Sequence, residues 1–388
     1  MNSIFPNRIE RIQDDGQEDG QDMEKSKPIR FVMIAAILLL GVYWSVASAI
    51  SGEEYPNTGF LATGEWLKSH KGDASLVIVD VRPDKIFDGK LIPGAIRMPW
   101  TLFQYEDSVS NMGEVFVGIV RAQQLLGEHG IARNDTVVLY DSVKEDGGAT
   151  SSYIFWVLDL LGHKNIKVLE RGIDGWIDAG GETASAVRKA EAVLYQAPST
   201  EIDMRKWVQA DYIMPRLGDP YYQILDVRSR EEYLGEKPNV ALDGMVLKLG
   251  HVPTAYNNDY TSNWTTPEIK AFKPYAELQE LYRGLDSGKA VITYCHSGRR
   301  GSFGYFVLRL IGYTDVRLYE LSWMEWGNKR LFYPVETAEH VFKDDALSAT
   351  TAIPATSGSG GKTNRKSGAA TPSGGESGAK SGYVSCGG

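Results

Sequence analysis

The chain is short of cysteine, histidine and positive charge, and each shortage removes a class of protein. Among its 388 residues only Cys295 and Cys386 are cysteines, which excludes a disulfide-stapled scaffold and a zinc domain built on thiolate ligands. The six histidines show no paired ligand spacing, so the sequence offers no metal motif, and no cofactor is expected. Lysine and arginine total 41 against 50 aspartates and glutamates, a formal charge of -9. A phosphate-binding surface carries a basic excess, so nucleic acid is not expected as a partner.

Long uncharged runs are scarce too, with one exception. Residues 31 to 50 carry no charge and follow Lys25, Lys27 and Arg30. The basic flank, the apolar core and the small-residue site Ala47-Ser48-Ala49 read as a secretory signal cut after Ala49, with Met23 as a conventional start. The alternative is an uncleaved anchor, since about 20 uncharged residues span a bilayer. Either way residues 1–49 form a targeting region, and the remainder is expected in the periplasm or anchored to the inner membrane facing it.

What is present is an ordinary globular composition, 43% hydrophobic and 23% charged, of a length for two or three domains. One grammar occurs twice. The first copy runs Leu76-Val77-Ile78-Val79-Asp80-Val81-Arg82, Ile92-Pro93-Gly94-Ala95, Val137-Val138-Leu139-Tyr140, then Lys167-Val168-Leu169 and Gly175-Trp176. The second runs Ile224-Leu225-Asp226-Val227-Arg228, His251-Val252-Pro253-Thr254-Ala255, Val291-Ile292-Thr293-Tyr294, then Val316-Arg317-Leu318-Tyr319 and Trp326-Gly327. Short β-branched runs alternating with helical segments predict an α/β fold, in each copy a parallel sheet with helices on both faces. The expected domains are residues 58–183 and 206–336, joined by a linker at 184–205. Residues 348–388, rich in glycine and serine and ending in Ser385-Cys386-Gly387-Gly388, hold too little apolar matter to order and are expected to be a mobile tail.

The most reactive residue in this pattern is Cys295. It ends the apolar run Ala290 to Tyr294 and opens the loop Cys295-His296-Ser297-Gly298-Arg299-Arg300 before a helical stretch. In an open parallel sheet, ligands bind beyond the carboxyl ends of the strands, where this loop falls. Loop N–H groups and the positive end of the helix would then face the sulfur, a setting that makes a thiol acidic and nucleophilic.

The paired Asp-Val-Arg strand ends, the Ile-Pro-Gly-Ala and His-Val-Pro-Thr-Ala segments, the Cys295 loop and Ser322-Trp323-Met324-Glu325-Trp326-Gly327 together resemble the rhodanese family in its tandem form, the thiosulfate and 3-mercaptopyruvate sulfurtransferases. The resemblance covers about residues 60 to 335 and places the family's catalytic cysteine at Cys295. The matching position of the first copy is Asp141, which cannot carry a persulfide, so that copy is expected to be inactive. Four residues separate Cys295 from Arg300, one fewer than in the fold's phosphatase relatives, which favours attack on sulfur over phosphorus.

The resemblance implies a persulfide enzyme that moves a sulfane sulfur from a small sulfur anion such as thiosulfate to a thiol or cyanide acceptor. His296, Ser297, Gly298, Arg299 and Arg300 are the expected donor-binding residues, with Asp226, Arg228 and Glu232 in support. Glu232 stands where several thiosulfate enzymes carry an arginine, which weakens the case for that donor. The alternative is a sulfur or selenium carrier that delivers to an envelope protein partner. A tail from about residue 349 spans roughly 30 Å, so Cys386 is a candidate relay thiol that could reach Cys295.

Overall fold

The computed structural model describes residues 54–340. The run at residues 31–50 and the tail with Cys386 lie outside them. No helix among the described residues is long and apolar enough to cross a membrane.

The first repeat comprises β1 (Leu61–Ala62), α1 (Gly64–His70), β2 (Leu76–Asp80), β3 (Ile96–Arg97), β4 (Gln104–Asp107), β5 (Met112–Phe116), α2 (Gly118–Glu128), β6 (Thr136–Tyr140), α3 (Ala149–Leu160), β7 (Ile166–Leu169) and α4 (Gly172–Asp178). The second comprises β8 (Trp207–Val208), α5 (Ala210–Ile213), β9 (Tyr222–Asp226), α6 (Arg230–Tyr233), β10 (Tyr256–Asn257), α7 (Tyr275–Leu281), β11 (Ala290–Tyr294), α8 (Arg299–Leu310), β12 (Val316–Tyr319) and α9 (Ser322–Trp326). The first sheet has the order β1-β7-β6-β2-β3 and the second β8-β12-β11-β9-β10, so the two are the same arrangement. Every neighbouring pair in both sheets is parallel. Short β4 and β5 form a separate antiparallel hairpin inserted in the first repeat.

Side chains alternate across each sheet, and both sides are apolar because both are covered. Val77, Val79, Val137 and Leu139 face one core, while Ile78, Val138 and Leu169 face another with Leu67 of α1 and Trp176 of α4. In the second sheet Leu225, Val291 and Leu318 point one way, and Ile224, Ile292 and Tyr294 point the other, onto Ile213 of α5 and Trp323 of α9. Each repeat is therefore a parallel sheet with helices on both faces.

The two repeats share one core, formed where α3 and α8 meet. The Phe155 and Phe306 rings lie edge to face with centroids 4.9 Å apart. Truncating either to alanine would cost about 3–5 kcal/mol. Because each of these helices starts at the loop that follows its repeat's central strand, the shared core sets the Asp141 and Cys295 loops at the same inter-repeat seam. The connecting segment 184–205 is not slack: Ala184 exchanges backbone hydrogen bonds of 2.8 Å with Leu91, and the Val193 N–H donates to Gly127 at 2.9 Å.

Candidate active site

Cys295 follows β11, the central strand of its sheet, and is fully buried. Its N–H donates to the Ser322 hydroxyl at 3.0 Å, and its carbonyl accepts from the Trp323 N–H at 3.0 Å. The His296 carbonyl likewise accepts from Met324 at 2.8 Å. The Ser322-Trp323-Met324 segment thus engages the carbonyls of the loop's first two residues. Gly298 caps α8 with φ +94°, and a Cβ there would lie 2.7 Å from the Glu320 carbonyl oxygen. No side chain fits, and this tight turn is what delivers the N-terminus of the 12-residue α8 next to the thiol.

Below the loop, Asp226 and Arg228 brace the strand ends. Arg228 donates to Asp226 from Nε at 3.0 Å and from Nη2 at 2.6 Å, and the Tyr294 hydroxyl donates to the same carboxylate at 2.6 Å. Nη2 also reaches the Gly250 carbonyl at 2.8 Å. The first repeat repeats the device with Asp80 and Arg82. Both pairs are buried and support the backbone.

The loop's polar side chains are held by acidic partners. Both terminal nitrogens of Arg300 donate to Glu232, at 2.8 and 3.0 Å. Burial alone would push the Glu232 carboxyl up, but Arg300, Arg228 and Asn239 outweigh it and hold the group well below the ordinary carboxylate range. The Arg300 guanidinium is thus engaged by Glu232 in a charge-assisted bidentate pair. Arg299 forms an ion pair with Asp146 of the first repeat, and the Tyr260 hydroxyl donates to the other oxygen of that carboxylate at 3.0 Å. The Ser297 hydroxyl donates to Glu114 on β5. The His296 Nε2–H donates to the Val240 carbonyl at 3.0 Å, which ties this ring to a neighbouring loop.

Burial raises the pKa of further carboxyls nearby. Burial pushes Glu320 up to about 8, and Glu145 up to about 7 with help from Asp141. Burial also raises Asp141 to about 6, against hydrogen bonds from the Ser151 and Gly148 N–H groups. The site is thus a buried cysteine in a loop leading into a helix N-terminus, whose first two residues are arginines paired with carboxylates.

The rhodanese-like domain family matches residues 63–179 and again 209–329, more than half of the chain. The chain belongs to the rhodanese family. A thiosulfate sulfurtransferase of Corynebacterium glutamicum is 29% identical over 300 residues, covering 76% of this chain and 96% of that one. The SseA protein of Mycobacterium tuberculosis is 32% identical over 282 residues, covering 71% of this chain and 90% of its own. The sulfur carrier protein TtuD of Thermus thermophilus is 28% identical, covering 71% of this chain and 95% of its own. The chain is a tandem rhodanese of the sulfurtransferase family.

The residues of this rhodanese site that sequence reasoning missed are Glu114, Glu145, Asp146, Tyr260 and Glu320, while Ser322 stands out in the sequence only as the start of a motif. Glu114, Glu145 and Asp146 come from the other repeat, more than 100 positions from the Cys295 loop, and nothing local marks them. Glu114 does carry a structural signal: as a non-glycine residue at φ +59° it occupies a strained conformation of the kind kept at functional positions.

Proposed function

We propose that this rhodanese is a persulfide enzyme in which the Cys295 thiolate takes the outer sulfur of a donor such as thiosulfate. The thiolate electron pair forms a new S–S bond, the donor's S–S bond breaks, and sulfite leaves with the bonding pair. A thiophilic acceptor, a thiol or cyanide, then attacks the terminal sulfur and regenerates the thiolate. The observation that carries this reading is the placement of Cys295 beyond the central strand, at a glycine turn into the N-terminus of α8. That position stabilises the anion before transfer and the persulfide anion after it. Thiocyanate formation from thiosulfate and cyanide tests it: the activity should disappear in Cys295→Ala, and a variant that still turns over would overturn the reading.

A second reading, a carrier that delivers sulfur to an envelope protein, is favoured by one feature of the site. Arg299 and Arg300 are both engaged by carboxylates, so a small anion must compete with Asp146 or Glu232 for them. A slow enzyme with a long-lived stoichiometric persulfide fits that arrangement, and Cys386 would be its relay thiol. Mass spectrometry after thiosulfate treatment separates the two: sulfur on Cys386 that requires Cys295 supports relay, and sulfur confined to Cys295 excludes it. Export completes the proposal, with residues 31–50 as a cleaved signal or a retained anchor. N-terminal sequencing of the protein from cell envelopes distinguishes a chain starting at Ile50 from an anchored one, and recovery from the cytoplasm would reject export.

A further inference from the structure

His251 is far in sequence from Glu336 and His340, yet the ligand atoms of all three lie within 4.8 Å of one another. The backbone explains why. His251 and Glu336 form an antiparallel bridge, with N–H to carbonyl distances of 2.8 and 3.0 Å in the two directions. Four residues later, His340 returns to the same side and its Nε2 meets a Glu336 carboxylate oxygen at 2.7 Å.

We propose that these three side chains form a binding site for a divalent cation of the zinc class. The decisive group is His251, which is fully buried. Its Nδ1 lies 2.8 Å from the Tyr233 carbonyl, and a carbonyl only accepts, so Nδ1 carries the proton and Nε2 carries a lone pair. That Nε2 is buried with no hydrogen-bond partner among the described residues, and with Nδ1 engaged it is the ring nitrogen left to serve as the ligand atom of the cluster. An imidazole whose second nitrogen is fixed by a carbonyl is the usual posture of a metal-bound histidine. Tyr233 also stacks on the ring, with centroids 3.7 Å apart, so the lone pair keeps its direction.

Two histidines and one carboxylate make a borderline-soft donor set suited to zinc, which leaves a fourth position for water. Ligand bonds of about 2.0–2.2 Å require the three atoms to draw together. The Glu336 and His340 side chains, 38% and 36% exposed, have the room to turn inward while His251 stays fixed. Access is provided by a cleft of about 680 Å³, bordered by His340, Asn257, Asn258, Lys273 and Glu277. The cation would tie the segment that leaves the second repeat to the Gly250-His251 strand, whose Gly250 carbonyl is already a partner of Arg228. It would therefore act as a structural clamp at the base of residues 341–388.

The test is zinc binding by the full chain after chelator treatment, measured by calorimetry and by metal analysis. Thiols also bind zinc, so the measurement is made on the wild type and on a Cys295→Ser, Cys386→Ser double variant. One zinc per chain is expected in both, with affinity lowered ~100-fold or more by His340→Gln, and with zinc raising the unfolding temperature only where the site is intact. Cobalt substitution should give the visible bands of a four-coordinate site. Loss of the zinc with the two thiols, or equal binding by wild type and the His340→Gln and Glu336→Gln variants, would overturn the proposal.

Discussion

The two repeats share one sheet and one helix order, yet they finish the loop after the central strand in opposite ways. In the second repeat two residues separate Cys295 from the capping Gly298. In the first, six separate Asp141 from the capping Gly148. The Asp141 carboxylate fills the space at the start of α3, accepting from the Gly148 N–H at 2.9 and 3.0 Å and from the Ser151 N–H at 3.1 Å. The first repeat therefore occupies its own anion cradle with its own side chain. The longer loop has a second use, because its surplus residues carry Asp146 across the seam to Arg299. One copy has become a counter-wall for the other.

The sharpest way to break this comparison is to exchange the residues at the matched positions. Cys295→Ser should lower sulfur transfer by ~1000-fold or more. Adding Asp141→Cys to that variant should restore nothing, because the thiol would sit in a loop too long to be cradled. Recovery of thiocyanate formation in the double variant would show that loop length is not the difference that matters. The next effect is on the wall. Arg299 is only 1% exposed, and Asp146→Asn removes the charge opposite it. Breaking a buried pair from one side costs on the order of 3 kcal/mol, to be read from denaturant unfolding. The same change should lower KM for thiosulfate, since a competing carboxylate is gone; a raised KM would mean that Asp146 positions Arg299 for the donor.

A milder contrast lies in the two capping glycines. Both have positive φ, +94° at Gly298 and +112° at Gly148. An alanine Cβ at Gly298 meets backbone oxygen at 2.7 Å, whereas at Gly148 the first contact is a Phe272 ring atom at 3.4 Å. Both substitutions carry a conformational cost of about 1–3 kcal/mol, and only Gly298→Ala adds the clash. Gly298→Ala should thus lose both stability and transfer activity, and Gly148→Ala mostly stability. Equal losses in activity would put the first loop inside the reaction.

These contrasts also show what was legible beforehand. Parallel strands buried on both faces are written as continuous apolar runs, so Leu76–Asp80 and Ala290–Tyr294 announced themselves, and the repeat fixed the rest of each sheet. The Asp226 and Arg228 brace was readable because its partners are two residues apart. The partners of Arg299, Ser297 and His296 were not, since Asp146, Glu114 and Val240 reach them only through tertiary packing. The His251, Glu336 and His340 cluster escaped for the same reason, because a backbone bridge and not a short spacing brings His251 to the other two.

The smallest expected effect concerns protons at the seam. Glu320, whose carbonyl backs Gly298, accepts from the Tyr153 hydroxyl of the first repeat at 3.0 Å. Burial pushes its carboxyl from 4.5 up to about 8, more than the Tyr153 and Phe116 donors lower it, with Glu114 and Glu325 adding to the rise. Between those values the folded chain holds a proton that the unfolded chain releases. Stability from this group is therefore complete below about pH 4.5 and is lost as pH rises to about 8. The slope is at most about 1.4 kcal/mol per pH unit. Other groups titrate in the same window, so the informative quantity is the difference between wild type and Glu320→Gln, which keeps the shape and cannot ionise. Wild type should lose stability relative to the variant from pH 5.5 to pH 8, and parallel curves would mean that Glu320 is already charged in the folded protein. A neutral Glu320 makes the electrostatic contrast between the loops local: the first repeat sets Asp146 in an ion pair with Arg299, while the second keeps the carboxyl behind its own glycine turn protonated.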